Sequence, residues 1–159
     1  MLEQKKISVC FTADQFEKYA DGKSTVVVVD VLRATSVIST AFMEGVVAII
    51  PVQTLDQALS YKGKEGYIVA AERNAKPIEG FDYGNSPFHY INADVKGKTL
   101  VLTTTNGTKA IHNAREHKVI TASYINIEAV ATHLIEEHND VIILCSGWKG
   151  VFNLEDPIF

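Results

Sequence analysis

Basic residues are in the minority in this chain. Fifteen lysines and arginines face 19 aspartates and glutamates, for a formal charge of −4. A nucleic-acid-binding domain normally carries the opposite excess, gathered on one face, and no basic run occurs here. Long hydrophobic runs are also missing. The longest apolar stretches, such as residues 46–52, fall far short of the roughly 20 residues that cross a bilayer. The opening Met1-Leu2-Glu3-Gln4-Lys5-Lys6 is charged and lacks the apolar core and small-residue cleavage site of a secretory leader. Cysteine is down to two, Cys10 and Cys145. Both lie in apolar segments, which fits free thiols of a reduced cytosol better than a disulfide framework. Repeats, low-complexity tracts and linkers are absent. These absences predict a soluble cytoplasmic domain that binds neither nucleic acid nor membrane.

The composition itself is that of a folded globule: 47% of the 159 residues are hydrophobic and 21% charged, enough for one domain with its own core. Short β-branched runs at residues 6–11, 25–31, 46–52, 67–71, 99–103, 119–122 and 140–145 read as strands. Several are continuously apolar, as strands covered on both faces are. Between them, residues 36–44, 55–61, 87–93, 107–116 and 127–138 repeat apolar positions at helical spacing. Gly45 is placed to end the first of these helices and Ser86-Pro87 to start the third. Residues 74–84 form the one extended irregular loop. Strand and helix alternating in this way predict a layered α/β fold with a largely parallel sheet, an antiparallel member being compatible with it.

In such folds ligands bind beyond the carboxyl ends of the strands. Here those ends are polar. The valines at 26–29 run into Asp30, Arg33, Thr35 and Ser36. The strand at 67–71 ends in Glu72-Arg73, the strand at 99–103 in Thr103-Thr104-Thr105-Asn106-Gly107-Thr108, and the strand at 140–145 in Cys145-Ser146-Gly147. Only three of the basic residues are arginine, and two of them, Arg33 and Arg73, stand at these ends. A guanidinium binds phosphate or sulfonate oxygens through two parallel N–H groups, which an ammonium cannot do; ion pairs with neighbouring carboxylates are the structural alternative. Asp30 suits a metal ligand, a nucleophile or a base, with helix capping as the structural alternative, for which Thr35 or Ser36 is better placed. The Thr–Asn–Gly turn suits an oxyanion but lacks the spacing of a P-loop. Glu72, Glu155 and Asp156 are further candidate metal ligands.

Other features are discounted. Cys145 lacks the arginine six positions later that a Cys-x5-Arg phosphatase loop requires, since residue 151 is valine. His112, His117, His133 and His138 lack metal-ligand spacing and read as solvated helix surface. Trp148 and Phe81-Asp82-Tyr83 are single aromatic positions in loops. A haloacid-dehalogenase reading of Asp30 fails at position 32, where that class needs a second aspartate and this chain has Leu32.

Taken together, Asp30-Val31-Leu32-Arg33-Ala34-Thr35-Ser36, Glu72-Arg73, Phe81-Asp82-Tyr83-Gly84-Asn85-Ser86-Pro87, the turn at 103–108, and Cys145-Ser146-Gly147 through Leu154-Glu155-Asp156 resemble the 2-phosphosulfolactate phosphatases (the ComB family). The matches occur in family order along nearly the whole chain. The resemblance implies a single three-layer α/β/α domain with a mainly parallel or mixed sheet, spanning residues 1–159 and lacking the portion by which family members continue beyond Leu154-Glu155-Asp156. It implies Mg²⁺-dependent hydrolysis of (R)-2-phospho-3-sulfolactate to 3-sulfolactate and phosphate, a step of coenzyme M synthesis where that pathway exists. Asp30, Arg33, Glu72 and Arg73 would be catalytic. Asp30, Glu72, Glu155 and Asp156 would supply the metal ligands. Thr35, Asn85, Ser86, Thr104, Thr105, Asn106, Gly107, Thr108, Ser146 and Gly147 would contact the substrate, a small phosphorylated sulfonate or carboxylate. In this scheme Arg33 and the Thr–Asn–Gly turn cradle the phosphoryl group and Arg73 neutralises the far anion. A homodimer is compatible with the sequence. The competing readings are a phosphatase for another phosphorylated acid and a catalytically silent oxyanion-binding module.

Overall fold

The computed structural model describes residues 5–158; residues 1–4 and Phe159, and with them the expectation about a leader, lie outside the described part. In chain order the elements are β1 (Ile7–Cys10), β2 (Thr25–Val29), α1 (Ala34–Met43), β3 (Ala48–Pro51), α2 (Leu55–Leu59), β4 (Tyr67–Arg73), β5 (Lys76–Pro77), β6 (Thr99–Thr103), α3 (Gly107–Asn113), β7 (Val119–Ala122), α4 (Ile127–Glu137) and β8 (Val141–Cys145). Two 3-10 segments, Ala13–Lys18 and Pro87–His89, complete the set.

The α/β expectation holds, with the strands divided between two four-stranded sheets. One runs β1-β8-β2-β7 and is parallel throughout; the other runs β3-β6-β4-β5 and is parallel except for β5. Each sheet carries helices on both faces. On β2, Val26 and Val28 point into a cluster with Cys10, Phe16, Ala110 of α3 and Leu144. Val27 and Val29 point the other way, toward Ala122 and Val130 of α4. In the second sheet, Ile68, Ala70, Leu100 and Leu102 meet Val37, Ile38 and Ala41 of α1, while Val69 and Val101 face Ala58 of α2. Every β2 residue is therefore buried, and each valine removed from water contributes roughly 1.5–3 kcal/mol. No helix among the described residues is long and apolar enough to cross a membrane.

Local chemistry shifts several predicted boundaries. The first helix begins at Ala34, ahead of Ser36, because Asp30 Oδ1 accepts the Ala34 N–H at 3.1 Å. The N-cap position is Arg33, which caps with no side-chain bond, and neither Thr35 nor Ser36 takes that role; Asp30 instead binds the first helical N–H from four residues back. Gly45 ends that helix as expected, at φ +92°. The helix expected at 87–93 shrinks to one turn. Beyond it Tyr90 is fully buried, stacked 5.3 Å from Tyr83 with its hydroxyl donating to the Gly84 carbonyl, and Asn92 takes a positive φ of 58°. The loop at 74–84 contains β5, which turns back antiparallel on β4 through Asn74 and Ala75, both at positive φ. His117 departs from the solvated reading: its side chain is 5% exposed, edge-on to Phe16, and its Nε2 accepts the Gly22 N–H.

Candidate active site

Parallel pairing aligns the carboxyl ends of neighbouring strands. Val29 lies opposite Cys145, so the next residues, Asp30 and Ser146, emerge side by side from the first sheet. Thr35 fixes the backbone at Asp30: its hydroxyl accepts the Asp30 N–H at 3.1 Å and donates to the Asp30 carbonyl at 2.8 Å. Thr35 is sealed from solvent, so it supports Asp30 and has no face open to a substrate.

Asp156 returns to the same place from the end of the chain. Its Oδ1 accepts the Val31 N–H at 3.1 Å, and its Oδ2 accepts the Ser146 hydroxyl at 3.1 Å and the Gly147 N–H at 3.2 Å. The Ser146 hydroxyl also acts on Asp30, so it lies against both carboxylates. Asp30 is 6% and Asp156 2% exposed. Burial, then the neighbouring Asp156 charge, pushes the Asp30 carboxyl up to about 6. Burial likewise raises Asp156, with the Glu155 charge adding to it. Gly107, the first residue of α3, closes the pocket: a Cβ there would stand 2.4 Å from Ala34 Cβ and 2.6 Å from Asp30 Oδ2. Only glycine lets α3 approach the carboxylate this closely.

Glu72 belongs to a second group. It is buried, and its oxygens accept the Ala75 N–H at 2.5 Å, the Thr105 hydroxyl at 3.1 Å and the Thr105 N–H at 3.3 Å. Arg33 reaches this group through a 3.4 Å bond from Nη2 to the Ala75 carbonyl. Arg73, next along β4, points to the opposite face, as successive residues on a strand do. Its guanidinium donates to the carbonyls of Glu72 (2.7 Å) and Gln53 (3.2 Å) and to the Thr103 hydroxyl (2.8 Å). Neither arginine enters an ion pair among the described residues, whereas Arg115 pairs with Glu116. Arg73 still feels the charge of the neighbouring Glu72, which works against the effect of burial on the guanidinium.

The remaining candidates fall in different places. Thr104 and Thr108 bind each other, each hydroxyl accepting the other's N–H at 3.1 Å. Asn106 Oδ1 accepts the Lys149 N–H at 2.9 Å, tying the 147–150 turn to the start of α3. Asn85 is buried, and its Oδ1 has no hydrogen-bond partner among the described residues, so a buried acceptor stands ready there. Ser86 precedes the Pro87–His89 turn without a side-chain cap. Glu155 is half-buried and makes no hydrogen bond among the described residues. Cys145 is fully buried and its thiol pushed up to about 12, chiefly by burial, so it stays protonated and inert at neutral pH. Sequence reading passed over the backbone donors of Val31 and Ala34, which carry no side-chain signal.

The four acidic residues expected around a metal are thus divided. No group of three His, Cys, Asp or Glu side chains forms a metal cage among the described residues. Asp30 and Asp156 nonetheless form a buried anionic pair. Mg²⁺ fits such a pair, because it takes one or two carboxylates and keeps its other positions for water and substrate phosphate. Glu72 has its oxygens engaged by the Thr105 and Ala75 donors.

Residues 10–159 match the family model described as 2-phosphosulpholactate phosphatase. A probable 2-phosphosulfolactate phosphatase of Thermotoga petrophila is 48% identical over 132 residues, covering 83% of this chain and 57% of that protein. Proteins of the same description from Clostridium novyi and Clostridium acetobutylicum are 44% and 42% identical, over 95% and 96% of this chain and 66% of each relative. The chain therefore spans between about half and two thirds of the length of these relatives. The strand ends described above all lie within the residues that the family model matches. This chain belongs to the 2-phosphosulpholactate phosphatase family.

Proposed function

We propose that the protein is a Mg²⁺-dependent phosphatase that hydrolyses (R)-2-phospho-3-sulfolactate to 3-sulfolactate and phosphate at the Asp30–Asp156 pair, in the cytoplasm. The observation that carries this reading is the pair itself: two buried carboxylates, one at the end of β2 and one at position 156, sharing the Ser146 hydroxyl, with no cationic side chain bonded to either among the described residues. The names borne by the relatives supply the substrate. Mg²⁺ held by Asp30 and Asp156 would supply charge neutralisation at the phosphoryl oxygens.

The chain's own residues do the rest. Ala34 N–H holds Asp30 Oδ1, leaving Oδ2 against Gly107 as the oxygen available for attack on phosphorus or for taking a proton from water. At neutral pH a carboxyl near 6 is mostly ionised, as either role requires. Val31 and Gly147 hold Asp156 in place through their N–H groups. Arg33 and the Thr104–Gly107 turn receive the phosphoryl oxygens, and Arg73 takes the far sulfonate or carboxylate. Asn85 offers its unpaired oxygen to a substrate hydroxyl or water.

The test is phosphate release from 2-phosphosulfolactate with Mg²⁺, with EDTA, and by Asp30→Asn. Turnover that needs both metal and Asp30 supports the reading. Metal-independent turnover, or undiminished turnover by the variant, overturns it. Acid quenching with labelled substrate distinguishes attack by Asp30, which leaves labelled protein, from attack by water, which leaves none.

A further inference from the structure

Asn106 stands at the N-cap of α3, a position where asparagine usually caps its own helix, yet its side chain makes no cap bond there. That task has passed to Thr104, whose hydroxyl accepts the Thr108 N–H at 3.1 Å. Asn106 Oδ1 instead accepts the Lys149 N–H at 2.9 Å, 43 residues along the chain.

Lys149 lies in a tight hairpin turn. The Trp148 N–H donates to the Val151 carbonyl at 2.8 Å, and the Val151 N–H donates to the Trp148 carbonyl at 3.0 Å. The two residues between them, Lys149 and Gly150, have φ of +52° and +80°. This is the type I′ pattern, in which Asn-Gly is a favoured pair. Lysine is a poor choice for the first position, because its Cβ disfavours positive φ and it lacks the short polar side chain that eases asparagine into it. The turn is therefore held from outside, at two points on the α3 side. One is the Asn106 bond; the other is Asp14, which is bridged to Lys109 of α3 at 2.5 Å and whose Oδ2 occupies the space of the missing Gly150 Cβ.

The residue just before the turn reaches the carboxylate pair. The Gly147 N–H donates to Asp156 Oδ2 at 3.2 Å. Gly147 is packed so closely against the turn that a Cβ there would stand 2.7 Å from the Val151 carbonyl oxygen. A shift of the turn thus shifts the Gly147 N–H. On the other side of Asn106, Gly107 meets Asp30 Oδ2. The dipeptide Asn106-Gly107 touches one carboxylate directly and the other through the turn.

We infer that Asn106 is a positioning residue: its Oδ1 seats the 148–151 turn on α3 and, through the Gly147 N–H, sets where Asp156 stands relative to Asp30. The consequence for Mg²⁺ rests on the proposed function; the link from Asn106 to Gly147 does not.

Hydrogen exchange of the metal-free chain, followed amide by amide by NMR, tests that link first. Asn106→Ala should speed exchange at Gly147, as well as at Lys149, by roughly two- to tenfold, as the loss of one hydrogen bond does, while the β2 amides keep their rates. Adding Lys149→Asn gives the turn its favoured pair and should return the Gly147 rate to within about twofold of wild type. Faster exchange at Lys149 alone, or no recovery in the double variant, overturns the proposal. Asn106→Gln, with its amide on a longer stem, takes the place of Asn106→Ala if that variant does not fold. Calorimetric titration with Mg²⁺ then extends the test to the site: Asn106→Ala should raise the Kd by roughly two- to tenfold, and the double variant should restore it. A Kd that rises while Gly147 exchange is unchanged, or that Lys149→Asn does not restore, places Asn106 on the metal directly and overturns the positioning role. If the wild type binds no Mg²⁺, the metal in the proposed function falls, and exchange at Gly147 alone decides the inference.

Discussion

Gly107 shows how one missing methyl sets the site. Its absent Cβ is the space into which Asp30 Oδ2 and Ala34 Cβ fit. Gly107→Ala must push α3 away from α1 or turn the Asp30 carboxylate, so we expect a loss of about 1–3 kcal/mol in urea unfolding and a fall in turnover larger than that in stability explains. Asp30 itself has a cost in the metal-free protein. A carboxyl raised to about 6 when folded, against roughly 3.9 when unfolded, binds its proton more tightly in the native state. Its contribution is fully present below about pH 4 and lost as pH rises through about 6, so ionised Asp30 opposes folding at neutral pH. Asp30→Asn keeps an acceptor for Ala34 and removes the charge. We expect it to stabilise the metal-free chain at pH 8 by about 1–3 kcal/mol and to change little at pH 4, as unfolding at the two pH values would show.

At the scale of elements, Glu72 joins the end of β4 to the turn after β6. Three donors meet its carboxylate, and they hold the Asn74–Ala75 turn, the Thr105 hydroxyl and, through Ala75, the reach of Arg33. Glu72→Gln replaces one acceptor oxygen with a donor that faces other donors. It should cost about 1–2 kcal/mol and raise KM more than it lowers kcat, because the pieces it releases are substrate-facing loops and not the carboxylate pair. A distant control is the start of α2, where Thr54 and Gln57 form a reciprocal cap. Thr54→Ala should cost about 1 kcal/mol in thermal unfolding without altering KM. Equal effects of the two variants on KM would show that the β4–β5 turn has no special tie to substrate.

On the scale of the whole molecule, the site joins parts far apart in the chain: Asp30, Gly107, Ser146 and Asp156 meet only when the first sheet has formed and α3 has packed beside it. A cation that binds the folded pair and not the unfolded chain adds stability by mass action, about 2.7 kcal/mol at 100 times its dissociation constant. For a chain of this size that is a rise in Tm of roughly 5–10 °C. We expect Mg²⁺ to give it at pH 8, to give less at pH 4 where the carboxylates hold protons, and to give none in Asp30→Asn. An equal rise in the variant would place the metal elsewhere.

The alternation of β-branched runs with helical spacing determined the α/β class, and polarity at the strand ends marked Asp30, Ser146 and Gly147 before any fold was known. Those signals are local, written by burial and backbone preference within a few residues. Only the tertiary structure decided that the strands divide into two sheets, because every strand carries the same apolar signal and none names its partner. It alone set the Thr105 hydroxyl on Glu72 and brought Asp156 beside Asp30. Each of these depends on packing between distant segments, where sterics and shared hydrogen bonds, not residue type, choose which polar groups meet.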